Sequence, residues 1–188
     1  MRTASSPDPI ELLMREHRQI ERVLAVLVDE VAAVRGGGRL SIRVFTSAAR
    51  FIRRYGDGVH HAKEEDVLFP AMVECGVPID TGPVACMLRE HGQGRNLLRQ
   101  IDQSLTALGD GDREAQPLLL EAASGYAQHL AAHIGREDGF IYPMARKAVP
   151  EALLARMPAY FAQLDRAVPL SFATAASEVE RAYDTGRG

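Results

Sequence analysis

The sequence predicts an all-α protein: an up-down-up-down four-helix bundle followed by short C-terminal helices. Four long segments carry apolar residues at helical spacing, and no segment shows the two-residue alternation of a strand. Breaks rich in Gly and Pro leave only short loops between these segments, which places consecutive helices side by side. With 188 residues, 46% of them hydrophobic and 25% charged, the chain suits one packed domain.

The first helix has a clear start, because Asp8 is a typical N-cap and Pro9 suits the first helical position. Residues 1–148 are expected to form the bundle. Residues 149–188 are expected to form a helical extension that packs on the bundle or forms a dimer contact. The predicted helices cover about residues 9–34, 40–74, 83–108 and 113–148, with shorter amphipathic stretches at 151–164 and 171–183.

The second helix contains Gly56 and Gly58, each of which costs about 1 kcal/mol relative to Ala in a helix interior. Such a weak point favours a π-bulge, a feature that often lies beside functional sites. We therefore expect a widened turn near these glycines.

Composition excludes several classes of function. The formal net charge is −3 and the sequence has no long Lys/Arg run, so nucleic acid is not an expected partner. Two cysteines, Cys75 and Cys86, are too few for a disulfide scaffold or a cysteine-based zinc site. The sequence shows neither a signal peptide nor a membrane span, which predicts a soluble cytoplasmic protein.

The most informative feature is an internal repeat at an offset of 74 and then 73 residues. The segment around His17 aligns with the segment around His91, and the segment beginning at His60 aligns with the one beginning at His133. Each half resembles a helical hairpin that contributes one His from its first helix and a His-x-x-x-Glu from its second. The repeat-related residues are His17 with His91, His60 with His133, and Glu64 with Glu137.

Helical projection places all six of these side chains on the apolar faces of their helices. Burying carboxylates and imidazoles without compensation costs several kcal/mol per charged group, and a bound metal removes that cost. Four helices that present such side chains to a bundle core are typical of two metals bridged by two carboxylates. Nitrogen and oxygen ligands without sulfur suit iron or manganese, and zinc could also bind.

These motifs resemble the hemerythrin-like (HHE cation-binding) domain family, over roughly residues 10–144. The resemblance rests on His17, His60-x-x-x-Glu64, His91 and His133-x-x-x-Glu137, with a supporting Leu-Phe-Pro after the second motif. It implies a non-heme di-iron centre with a bridging oxygen species. It further implies that Glu64 and Glu137 bridge the irons and that the four histidines bind terminally.

The sequence departs from oxygen-carrying hemerythrins, in which a further His follows the third-helix His by four residues. Arg95 stands there, and Asp138 stands at the position of the family's carboxylate ligand although Glu137 fits the repeat better. Four histidines allow nearly symmetric coordination with open positions, which favours reaction with peroxide, oxygen or nitric oxide. The sequence leaves open an enzymatic role, a binding or sensing module, and iron storage.

Structural roles are expected for the other polar residues near the site. His61 and Glu65 are predicted to lie on the surface, although a shift of register would exchange them with their neighbours. His129 is predicted to be a hydrogen-bonded core residue, with a metal ligand or proton relay as the alternative. Glu21 and Arg95 occupy equivalent repeat positions and are predicted to form an ion pair between the hairpins. The alternatives are that Glu21 is an extra metal ligand or that Arg95 holds a bridging carboxylate.

Overall fold

The computed structural model describes residues 7–186 and forms a four-helix bundle whose helices are α1 (Pro9–Arg35), α2 (42–74), α3 (Gly82–Gly109) and α4 (115–148). Consecutive helices pack side by side, and α1 also packs on α4 to close the bundle. No strand occurs in residues 7–186, so the all-α prediction is confirmed. Residues 1–6 of the predicted bundle segment and residues 187–188 of the predicted C-terminal extension lie outside the residues that the structure describes.

The predicted start of α1 is confirmed at the level of hydrogen bonds. The Asp8 carboxylate accepts from the backbone N–H of Ile10 at 2.9 Å and of Glu11 at 3.4 Å, which satisfies two donors that a helix start leaves free. At the other end, Gly37 has a φ of 92°, a conformation that favours glycine and lets the chain turn toward α2.

The second helix departs from α-helical geometry over much of its length. It is α-helical over Ile42–Phe51, π-helical over Ile52–His61 and Glu64–Leu68, and α-helical again over Phe69–Glu74. The widened turn expected near Gly56 and Gly58 is therefore confirmed and extends to both sides of them.

A π-helical turn in α4, Glu137–Ile141, is related by the repeat to the turn Glu64–Leu68 of α2. Each of these two turns begins at a predicted bridging glutamate and ends just before a residue that precedes proline. In each, the N–H of the residue before the proline bonds to the glutamate carbonyl five residues back. Proline has no N–H and its ring crowds the carbonyl four residues earlier, so Pro70 and Pro143 favour this wider spacing.

The core consists of two apolar clusters separated by a polar layer. One cluster lies toward the α1–α2 and α3–α4 loops, and the other lies toward the opposite end of the bundle. Along α1, for example, Leu13 belongs to one cluster, Ile20 belongs to the other, and His17 lies between them. The polar layer is therefore enclosed on both sides by packed hydrocarbon.

Three shorter helices follow the bundle: α5 (Glu151–Leu154), α6 (Met157–Asp165) and α7 (Phe172–Gly186). Phe161 of α6 packs in one core cluster and Phe172 of α7 in the other, and α7 contacts both α1 and α2. The segment thus crosses the level of the polar layer. Among the described residues, no helix combines the length and apolar character that a membrane span requires.

Candidate metal centre

Seven buried side chains meet in the polar layer and form two groups of metal-ligating type. One contains His61, Glu64, His91 and His133, and the other contains His17, His60 and Glu137. Within each group, one ligand atom from each residue lies within 4.8 Å of the others. The structure therefore brings together all six residues that the repeat predicted as ligands, and it adds His61.

The two glutamates each face both groups. Oε1 of Glu137 lies 3.1 Å from Nε2 of His133, and its Oε2 lies 3.1 Å from Nε2 of His17. Oε2 of Glu64 lies 3.5 Å from Nε2 of His91 and 3.7 Å from Nε2 of His60. Each glutamate therefore lies between the two groups, Glu137 through both of its oxygens and Glu64 through Oε2.

The predicted surface position of His61 is wrong. Its side chain is buried and stacks on His91, with 3.9 Å between ring centroids and 12° between ring planes. The projection assumed α-helical steps, whereas residues 52–61 are π-helical, and the wider turn directs both His60 and His61 inward. Three histidines in one group and two in the other replace the expected symmetric arrangement.

Several polar atoms of the two groups lack partners. Among the described residues, His60 Nε2, Glu64 Oε2 and both side-chain oxygens of Glu137 are buried without a hydrogen bond. Such atoms are rare in proteins because each costs the desolvation free energy of the group. Bound cations could satisfy these atoms, so the donor set fits a metal site.

The two glutamates have opposite pKa shifts. Burial, followed by the charge of Glu137, raises the pKa of Glu64 well above its usual value. Burial also opposes ionisation of Glu137, but His133, His17 and His91 outweigh it and hold the pKa of Glu137 well below its usual value. The pKa values of the two carboxyls are pushed apart because two adjacent buried carboxylates do not both ionise readily.

Every histidine of the two groups has a carboxylate against its Nδ1. The distances range from 2.6 to 3.3 Å, and the pairs are His17–Asp138, His60–Glu16, His61–Asp57, His91–Glu65 and His133–Glu90. A carboxylate at Nδ1 fixes the ring and its tautomer and leaves Nε2 free as a ligand, as is usual for metal-binding histidines.

The outer carboxylates follow the internal repeat. Glu16 and Glu90 each precede a first-helix His and hold the His of the second helix in the same hairpin. Glu65 and Asp138 each follow a predicted bridging glutamate, and each holds the first-helix His of the other hairpin. The repeat could have revealed all four, because both of its copies carry a carboxylate at these places.

The comparisons with known proteins agree with this geometry. The model of the hemerythrin HHE cation binding domain matches residues 8–145. The chain belongs to the hemerythrin HHE cation-binding domain family. Three curated relatives, one from Mycobacterium bovis and two from strains CDC 1551 and H37Rv of Mycobacterium tuberculosis, are each 27% identical over 137 residues. The alignment covers 72% of this chain and 52% of each relative, so the chain spans about half the length of those proteins, which are described as uncharacterized.

The ion pair predicted between Glu21 and Arg95 in this hemerythrin HHE domain is not formed. Arg95 donates instead to Asp57 at 2.6 Å and to Glu65 at 2.7 Å, while Glu21 pairs with Arg18 on its own helix. The reason is that residues 57 and 65 lie on the π-helical part of α2, which directs them toward α3. Arg95 therefore holds two of the carboxylates that contact histidines.

Two further side chains of the domain define the edges of the site. The hydroxyl of buried Tyr142 donates to Oε1 of Glu64 at 2.8 Å. The repeat gives no signal for this contact, because Tyr142 aligns with Phe69. His129 lies outside both groups, and its Nε2 bonds to the Glu90 carbonyl at 2.9 Å, as expected for a hydrogen-bonded core residue.

Proposed function

We propose that this hemerythrin HHE domain binds two iron ions in its polar layer and reacts with, or reversibly binds, a small oxidant such as peroxide, oxygen or nitric oxide. The observation that supports the proposal is the set of seven buried ligating side chains, among which four inward atoms of His60, Glu64 and Glu137 lack hydrogen-bond partners among the described residues. The ligands are imidazole nitrogens and carboxylate oxygens, which suit iron or manganese.

The protein residues prepare the site in three ways. The Nδ1 carboxylates orient the imidazoles so that Nε2 faces the layer. Glu64 and Glu137 supply negative charge that each group shares. Tyr142 holds a proton at Oε1 of Glu64, where it can serve as a hydrogen-bond donor. Iron bound there would supply the electrons for redox chemistry on the oxidant.

Burial limits which ligands can react. Apart from His61, the ligating residues of both groups are at most 1% exposed, and apolar clusters cover the layer on both sides. Enclosure of this kind admits a diatomic molecule or peroxide more readily than a larger organic substrate. The site therefore favours small oxidants over organic substrates.

The test combines metal analysis with turnover. Protein reconstituted anaerobically with ferrous iron is expected to hold two irons per chain, and to consume peroxide or nitric oxide, or to bind oxygen reversibly, with a change in its absorption spectrum. Glu137→Gln is expected to lose both iron and reactivity. A fully folded wild-type chain that takes up no iron would refute the proposal, and iron uptake without reaction or binding of any of the three ligands would refute its oxidant half.

A further inference from the structure

The outer parts of the two metal groups are related by the repeat but differ in exposure. Lys63 and Arg136 are repeat-related cations, and each donates to the carboxylate that holds a second-helix histidine. The Arg136 side chain is 45% exposed, as befits a surface ion pair. The Lys63 side chain is only 1% exposed. Of the two equivalent positions, that of Lys63 is therefore shielded from water.

The C-terminal segment seals it. Asp165 of α6 accepts from Nζ of Lys63 at 2.5 Å. The rings of Phe161 and Phe172 lie 5.6 and 5.5 Å from the same Nζ, within the range of cation–π attraction. All three residues lie beyond residue 145, where the family match ends. A buried ammonium is costly unless it is paired, so this segment supplies what the buried Lys63 requires.

These contacts lead directly to a predicted metal ligand. Lys63 donates to Oε1 of Glu16, and the other oxygen, Oε2, lies 3.0 Å from Nδ1 of His60. Nε2 of the same ring is one of the unpartnered buried atoms among the described residues. Asp165 therefore fixes Lys63, Lys63 fixes Glu16, and Glu16 fixes the ring of His60. The matching route to His133 ends at the exposed Arg136.

We propose that residues 157–172 are an outer part of the metal centre, and that Asp165 is a positioning residue for His60. This inference rests on the proposed metal-binding function. It makes the two groups unequal. The C-terminal segment preorganises the group of His17, His60 and Glu137 through Lys63. The group containing His133 has Arg136 at the equivalent position, and Arg136 is exposed.

The test measures iron binding by the full chain, step by step, under anaerobic conditions against a competing chelator. Asp165→Asn is expected to weaken one of the two binding steps about tenfold, the lower end of the range for loss of an outer partner, and to leave the other step unchanged. Asp165→Glu is expected to restore the wild-type value, because it returns the carboxylate.

Glu180→Gln is the matched control. It removes an ion pair with Arg22, whose Nε lies 2.8 Å from the carboxylate, and so weakens the attachment of α7 to α1 without touching Lys63. Both iron-binding steps of this variant are expected to equal those of the wild type. If Glu180→Gln weakened iron binding as much as Asp165→Asn, the segment would act only through general stability and the proposal would be overturned.

A double-mutant cycle with Lys63→Met separates positioning from folding. In the Lys63→Met background, Asp165→Asn is expected to have no further effect on iron affinity, because the link to Glu16 is already lost. A persisting tenfold effect would overturn the proposal, as would an Asp165→Asn chain whose two steps match the wild type. Those results leave the proposed function intact, whereas a wild-type chain that binds no iron overturns both.

Discussion

Replacement of His61 by leucine separates the effect of this residue on stability from its effect on metal binding. Burial, followed by the charge of His91, lowers the pKa of His61 from 6.5 to about 4. A group whose pKa is lower in the folded state stabilises the fold fully above its unfolded pKa. That stabilisation is lost as the pH falls from 6.5 towards 4.

The magnitude follows from the two pKa values. The interval from 6.5 to about 4, at about 1.36 kcal/mol per pH unit, corresponds to roughly 3 kcal/mol. The metal-free wild type is therefore expected to lose roughly 3 kcal/mol more of its unfolding free energy between pH 7 and pH 4 than His61→Leu loses. Urea unfolding of both chains at the two pH values measures this difference. An identical loss in the two chains would refute the burial argument.

The same replacement, His61→Leu, is expected to impair metal binding. His61→Leu removes a ligand atom from the three-histidine group, so under chelator competition its iron content is expected to fall from two to one per chain. His129→Leu serves as control, because His129 lies outside both groups and bonds to a backbone carbonyl. Equal iron contents in wild type and His61→Leu would show that His61 is not a metal ligand.

Three further predictions concern the charge of the site. Burial lowers the pKa of His17, but the neighbouring carboxylates of Asp138 and Glu137 outweigh it and raise the pKa to about 9. Iron must displace this proton, so the apparent iron affinity is expected to rise with pH up to about 9, with proton release measurable in weak buffer. Glu64→Gln removes one of two facing carboxylates and is expected to raise the melting temperature of the metal-free chain, by about 2–4 °C per kcal/mol gained, while abolishing the further rise on adding ferrous iron. Tyr142→Phe leaves Glu64 Oε1 without its donor and is expected to cost about 1–3 kcal/mol in urea unfolding of the metal-free chain, with iron content retained.

Each of these predictions has a contradicting result. Iron affinity that does not vary between pH 6 and 9 would show that His17 is already neutral in the metal-free chain. A metal-free Glu64→Gln chain that melts below the wild type would show that the carboxylate pair is not a source of instability. Unchanged stability of Tyr142→Phe would show that the hydroxyl contributes nothing at Glu64.

The sequence predicted the bundle and the six inward residues because both depend on local periodicity. Apolar residues at helical spacing defined the four helices, and the repeat identified His60 and selected Glu137 over Asp138 for positions that face the layer. Asp138 indeed lies outside the two groups and contacts His17 through Nδ1. The role of the six residues as ligands stays a prediction until metal is measured.

The rest depended on non-local geometry. His61 was misplaced because residues 52–61 of α2 are π-helical, and both His60 and His61 are buried there. The contact between Lys63 and Asp165 joins residues 102 positions apart, and no periodic pattern relates them. Sequence reasoning on helical faces therefore located the centre of the site but not its outer carboxylates or the segment that covers one side.

The central claim is that the polar layer is a two-metal site, and iron stoichiometry tests it most directly. Purified chain is loaded anaerobically with ferrous iron, freed of excess metal, and compared with the Glu64→Gln, Glu137→Gln double variant, which keeps the shape of the layer without its charge. We predict two irons per wild-type chain and none in the variant. A folded wild-type chain without iron, or equal iron in both chains, would contradict the account.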